Sequence, residues 1–374
     1  MKLSKLMTAL TLGAAALVSG AAIAKDLRLG SGVLPTHTNQ VGYEAFAKAL
    51  KEKAPEMNVR ILPLSFMNST QTYAGIRDGV IDLGFVLAPL IPANFPEAQL
   101  PINLAMLGNS GFAMAGAMTE YLFTCQECQA EKHKLNHVYL GSVAAGPYWI
   151  ISTKKITTLD DVKGKKLRSG AAPWSRWAQD VGATAMSITP NEIFEAMSQG
   201  TLDGAIVPIS ELTNLRLVDV AKHITVDAPM GTYHGMEILN TNRNTWRSLT
   251  EAQRRAMLDS AAVGSAVITL RFLGDVERNF AEAKKKNIQV HKASPELVAR
   301  SKAFAQTDLA RVVSTAEKEF GIKNAAEKAA RFRQLVEKWE KLIPANIEKL
   351  DAKVLADIYQ REIYSKVDAK TYGM

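Results

Sequence analysis

The feature that most restricts what this chain can fold into is a rhythm of strand and helix that starts at residue 26. Residues 26–34 alternate as Asp-Leu-Arg-Leu-Gly-Ser-Gly-Val-Leu and stop at Pro35-Thr36-His37-Thr38. Thr38 or Asn39 can cap a helix whose apolar positions Tyr43, Phe46, Ala47 and Leu50 keep helical spacing. A second strand is expected over residues 58–64, a helix from Ser69-Thr70 to Asp78-Gly79, and a third strand over residues 80–87. That third run is uniformly apolar after Asp82, as a parallel strand covered on both faces requires. Strand, helix, strand, helix, strand implies right-handed βαβ units, and therefore an α/β fold.

The rhythm is interrupted and then restarts. A helix over residues 112–123 precedes strands at 137–144 and 148–153, parted by Gly146-Pro147, where proline withdraws a ladder donor. The chain is expected to cross to a second α/β lobe here. That lobe takes strands at 166–169, 185–188, 204–208 and 223–226, with helices at 174–181 and 190–198. The run His234-Gly-Met-Glu-Ile-Leu-Asn240 reads as a strand returning to the first lobe. A long helix follows from Leu249, capped by Thr250, to about Lys285. Residues 289–291 are extended, and Ser294 starts another helix. Residues 323–343 and 351–365 are amphipathic, with Phe332, Leu335, Trp339 and Leu342 on one stripe. Packing of this tail on the body is the expectation, and a homodimer surface the other reading. The expected organisation is a signal peptide at 1–24, lobe 1 from 25–146 plus about 235–275, lobe 2 from 147–234 plus about 276–320, and a helical extension at 321–374.

The signal peptide is read from Lys2 and Lys5, the apolar run from Leu6 to Val18, and Ala22-Ile23-Ala24 as a cleavage site. It implies export to a periplasm. Its removal leaves 43 basic residues against 37 acidic ones, about +6. That small excess is spread along the chain, which speaks against nucleic acid and slightly for an anionic ligand. Cys125 and Cys128 lie in Phe-Thr-Cys-Gln-Glu-Cys-Gln. A disulfide is the leading reading in an oxidising compartment; a redox pair lacks its surroundings, and zinc would need further ligands.

The stretch Gly164-Lys-Lys-Leu-Arg-Ser-Gly-Ala-Ala-Pro-Trp-Ser-Arg-Trp177 carries the functional expectation. It places Arg168 at a strand end, beside a helix that starts at Pro173-Trp174. A guanidinium offers a planar fork matching a carboxylate, and a helix start adds unpaired N–H groups. A salt-bridged surface arginine is the plainer alternative. Enzyme signatures are missing: no phosphate loop with a lysine, no His-Glu-x-x-His, no Gly-x-Ser-x-Gly. The six histidines form no metal set, and His133 and His137 are expected to be solvated, as is Arg176. No cofactor is implied. A ligand-trapping receptor with a cleft between two lobes is what remains.

The order of several segments resembles the solute-binding subunits of TRAP transporters, the C4-dicarboxylate-binding type, from the mature start to about residue 320. They are Ile76-Arg-Asp-Gly-Val-Ile-Asp-Leu, Phe95-Pro-Glu-Ala, Leu100-Pro, Leu159-Asp-Asp-Val-Lys-Gly-Lys-Lys-Leu-Arg168, Val181-Gly-Ala, Asn191-Glu-Ile-Phe-Glu-Ala-Met-Ser-Gln-Gly-Thr-Leu-Asp-Gly204, and the run from Trp246 to Gln253. The resemblance implies a two-lobed fold with a long helix contacting both lobes. It implies that Arg168 clamps the carboxylate of a small organic acid, and that the solute is handed to a separate TRAP permease in the membrane. A receptor for an ABC importer or a sensor kinase, and a degenerate enzyme, are the alternatives.

The chain departs from the sugar-acid binders of that family. Pro147-Tyr148-Trp149 stands where they carry a second arginine, Leu87-Ala88 where they carry a glutamate, and Val207 where they carry an asparagine. A smaller or more apolar monocarboxylate is therefore expected, aromatic or branched, walled by Trp174, Tyr148 and Leu87. Trp174 and Trp177 lie three apart, so one of them belongs to a lobe core. Tyr233 and His234, at the start of the returning strand, are candidates for the cleft. So are His37 and Asn68, which follow the first and second strands, the end where α/β ligands collect.

Overall fold

The computed structural model describes residues 25–108 and 110–374; the expected signal peptide lies outside them. The first sheet opens with β1 (Lys25–Gly30), β2 (Met57–Leu62) and β3 (Leu83–Leu87), followed by the two-residue strands β4 (His137–Val138) and β5 (Ser142–Val143). The chain then leaves for the second sheet, which takes β6 (Tyr148–Ser152), β7 (Lys166–Ser169), β8 (Thr184–Met186), β9 (Gly204–Pro208) and β10 (His223–Val226). It returns to the first sheet with β11 (Met236–Asn242) and finally adds β12 (Gln289–Lys292) to the second.

The first sheet runs β2-β1-β3-β11-β4, with β5 also on β11; β1 is parallel to both neighbours, and β11 is antiparallel to β3. The second runs β12-β10-β6-β9-β7-β8, with β7 parallel to β8 and β9, and β6 antiparallel to β9 and β10. Two mixed α/β lobes result.

Several expected elements change. The strand at 137–144 is broken at Tyr139-Leu140-Gly141, because Gly141 takes φ 148° and packs under the Tyr364 hydroxyl. The third strand starts at Leu83, since the turn at Gly79 (φ 74°) continues to Asp82, whose carboxylate accepts from the Arg28 backbone N–H. A helix not foreseen, Gln126–Lys134, begins at Cys125, whose sulfur accepts from Cys128 N–H; the two cysteines are joined in a disulfide, Cα–Cα 5.2 Å.

The expected helix from 249 to 285 is two helices, Glu251–Gly274 and Val276–Lys285. Gly274 weakens the join, and the carboxylate of Asp275 is drawn to Arg271 and Arg278. The first piece packs on helix Thr38–Lys53 beside the first sheet, the second against the core of the second sheet. Glu251–Gly274 would pass for a membrane span by length and composition, but most of it is buried in protein.

The tail helix Ala325–Leu342 lies on helix Gly111–Thr124, with Phe332 and Trp339 fully buried. Gly116 makes the approach possible, because a Cβ there would sit 2.3 Å from the Trp339 ring. The apolar stripe that might have made a homodimer is thus used within the chain. Two further expectations fail by burial. His137 is fully buried, stacked on Tyr73 at 5.3 Å with Nε2 3.1 Å from the Tyr73 carbonyl oxygen, and burial pulls its pKa down to about 3. Arg176 is not solvated either: its Nη2 lies 2.7 Å from Asp308 and its Nη1 3.0 Å from Asn103.

Candidate ligand-binding site

Strand register brings the site together. In the second sheet Arg168 lies opposite Ala205, Trp149 opposite Val207, and Tyr148 opposite Pro208. Arg168 and Val207 therefore emerge at the carboxyl ends of the parallel strands β7 and β9, beside the start of the antiparallel β6. The first sheet contributes its own strand ends, with His37 after β1, Phe85 and Leu87 on β3, and Tyr233 and Met236 around the start of β11. With Tyr148, Arg168 and Val207 they line one cavity between the sheets, holding about 740 Å³ of empty space, its mouth included.

Arg168 is 5% exposed. Its Nε donates to the Ile188 carbonyl at 3.0 Å, which fixes the plane of the guanidinium. Gly170 leaves room for it, since a Cβ there would fall 2.7 Å from both Nη atoms. Neither Nη1 nor Nη2 has a hydrogen-bond or salt-bridge partner among the described residues, and burial lowers the pKa of the group. A buried cation with its fork open is chemically incomplete, because five N–H donors need acceptors.

The walls are mainly apolar and aromatic. Trp174 stacks on Tyr148, ring centroids 4.1 Å apart and 18° from parallel, and meets Tyr233 edge-on at 6.1 Å. Its indole N–H donates to the Met230 carbonyl at 2.9 Å, and the Tyr233 hydroxyl to the Gly235 carbonyl at 2.9 Å. Trp177 points the other way, into helix Pro295–Lys318, with its N–H on Ser301. Leu87 and Val207 complete the apolar lining.

Two candidates fall outside the cavity. Asn68 turns its side chain back onto its own loop, accepting from Thr70 and Gln71 backbone N–H groups, at a neighbouring surface depression. His234 is fully buried behind the wall, its nitrogens on the Thr232 and Pro101 carbonyls and its ring stacked on Phe332.

Glu211, not singled out from the sequence, does line the cavity and is 8% exposed. Its Oε1 accepts weakly from Asn214 Nδ2 at 3.4 Å, and its Oε2 lies 3.8 Å from His37 Nε2. Burial pushes its pKa up to about 7 and pulls that of His37 down to about 4. The signal available was its place just past β9, the same strand-end rule that picked His37.

Comparison with known proteins bears on the family and the fold. Residues 29–315 match the family model described as DctP, bacterial extracellular solute-binding protein, family 7. A solute-binding protein of Albidiferax ferrireducens is 25% identical over 299 residues, 74% of this chain and 80% of its own. Among solved structures, a marine-metagenome TRAP solute-binding protein specific for aromatic acid ligands, in complex with metahydroxyphenylacetate, superposes with TM-score 0.75 at 20% identity, covering 84% of this chain and 99% of that one. The sugar acid-binding protein from Advenella mimigardefordensis in complex with galactonate superposes with TM-score 0.71 at 17% identity, covering 85% and 99%.

Proposed function

The chain belongs to the bacterial extracellular solute-binding proteins of family 7, the TRAP receptors, and from that premise we propose that it captures a small, largely apolar monocarboxylate on Arg168 and delivers it to TRAP permease subunits in the membrane. The observation that carries the reading is the guanidinium of Arg168, buried, held by one bond through Nε, with its terminal fork open to the cavity. A carboxylate would accept from both Nη groups at once. The aromatic stack of Tyr148 on Trp174 would cover the rest of the solute. Export to the periplasm completes the reading.

The fold does not choose the acid, since receptors for an aromatic acid and for galactonate share it. The walls do. Leu87 and Val207 cannot satisfy the hydroxyl groups of a sugar acid, and each hydroxyl buried without a partner costs about 1–3 kcal/mol. A thermal-melting screen of organic acids tests this, because a ligand at one hundred times its Kd adds about 2.7 kcal/mol to folding. Aromatic and branched monocarboxylates should raise the melting temperature while galactonate leaves it unchanged. A shift with sugar acids alone would overturn the assignment.

A further inference from the structure

Resting on the carboxylate reading above, we propose that Glu211 and His37 form a second polar end of the cavity that reads a hydroxyl group, so that the carried solute is a hydroxy-substituted monocarboxylate rather than a plain or an amino one.

The geometry sets the chemistry of that end. The Asn39 backbone N–H donates to His37 Nδ1 at 3.1 Å, so Nδ1 holds a lone pair and the ring proton sits on Nε2. That Nε2–H faces Glu211 Oε2 across 3.8 Å, too far for a direct hydrogen bond. Among the described residues Glu211 takes one hydrogen bond, the 3.4 Å contact from Asn214 on Oε1, and neither Glu211 nor His37 is more than 8% exposed. One buried donor and one buried acceptor therefore face each other with neither satisfied. A hydroxyl fits both, donating to Glu211 and accepting from His37. An ammonium has only donors, so it would meet the Nε2–H as a repulsion. A methyl or a ring edge would satisfy neither.

The position supports the assignment. His37 follows β1 in the first lobe, and Glu211 follows β9 in the second. Next to them Thr38 Oγ1 donates to Asn214 Oδ1 at 3.2 Å across the same seam. A solute hydroxyl held by both side chains would be bound from both lobes, as its carboxylate cannot be by Arg168 alone.

Calorimetric titration at one fixed pH tests this with two series: phenylacetate, mandelate and phenylglycine; and benzoate, 3-hydroxybenzoate, 4-hydroxybenzoate and 3-aminobenzoate. Wild-type protein should bind at least one hydroxy acid about tenfold or more tightly than its parent, and each amino acid no better than the parent. In Glu211→Leu the ratio of hydroxy-acid to parent-acid affinity should shrink to less than about threefold, any change common to both acids cancelling in that ratio, and a thermal melt reports that the variant is folded. Glu211→Gln, whose amide oxygen still accepts, should restore part of it. No hydroxyl advantage in wild type, an advantage that survives Glu211→Leu, or preference for an amino compound overturns the proposal. Failure of every acid to bind, or parent affinity unchanged in Arg168→Ala, removes the carboxylate reading and this inference with it. Parent acids that bind through Arg168 without a hydroxyl effect remove this inference alone.

Discussion

Arg168 and Glu211 show what the site costs the fold. A guanidinium at 5% exposure, with no salt-bridged carboxylate among the described residues, loses hydration and gains one bond there, to the Ile188 carbonyl. Arg168→Met should therefore melt no lower than wild type without ligand, and higher if the cavity closes over the thioether; a large fall in scanning calorimetry would contradict it. Glu211 holds its proton to about pH 7 in the folded state, against a reference value of 4.5. Between those values the folded chain keeps a proton that the unfolded chain has released, so stability from this group falls as pH rises, by on the order of 3 kcal/mol at most. Glu211→Gln should accordingly gain stability relative to wild type between pH 5 and pH 8, by thermal melts at both; an offset independent of pH would show that the carboxyl is not held neutral. The sequence placed Arg168 at a strand end beside a helix start, where a salt-bridged surface arginine was the plainer reading, and the resemblance to the TRAP receptors is what marked it as the clamp proposed here. Asn68 and His234 misled because a strand-end position says where a residue is, not where its side chain turns. Asn68 closes its own loop, and His234 finds two carbonyls behind the wall.

Among the elements, period was readable and partnership was not. The stripe through Phe332 and Trp339 announced a buried face, and only the structure shows it laid on helix Gly111–Thr124 rather than on a second copy. Trp339 is held there by its N–H on Glu120 at 2.7 Å, over a glycine that permits contact. Gly116→Val should lower the melting temperature substantially, since overpacking costs about 1–3 kcal/mol and the ring has no free direction to move. Unchanged melting would mean that the tail is loosely attached. Light scattering should return the mass of one chain. The βα rhythm was likewise plain from residue 26, because strand and helix differ in apolar period. The break at Gly274-Asp275 was not, because an apolar pattern continues across it and one glycine, with the pull of Arg271 and Arg278 on one carboxylate, is what marks it.

At the scale of the whole molecule, helix Pro295–Lys318 touches both lobes, packing on helix Ala172–Asp180 of one and Pro96–Asn103 of the other. Its Asp308, 4% exposed, takes two bonds from Arg176, which also reaches Asn103. Removing Arg176 alone would strand a buried carboxylate, so Arg176→Ala should lose about 3–5 kcal/mol in denaturant unfolding, and Asp308→Asn beside it should recover part of that. Losses that simply add would contradict the pairing. The cavity sits between the lobes thus joined, and the proposed hold on the carboxylate rests on one fork of nitrogen atoms. Calorimetric titration of wild-type, Arg168→Ala and Arg168→Lys protein with the acid that most raises the melting temperature is its most direct test. The account predicts that both variants lose about a hundredfold or more in affinity, lysine included because an ammonium cannot copy the bidentate fork. Binding by Arg168→Ala within about threefold of wild type, less than one neutral hydrogen bond is ordinarily worth, would contradict it.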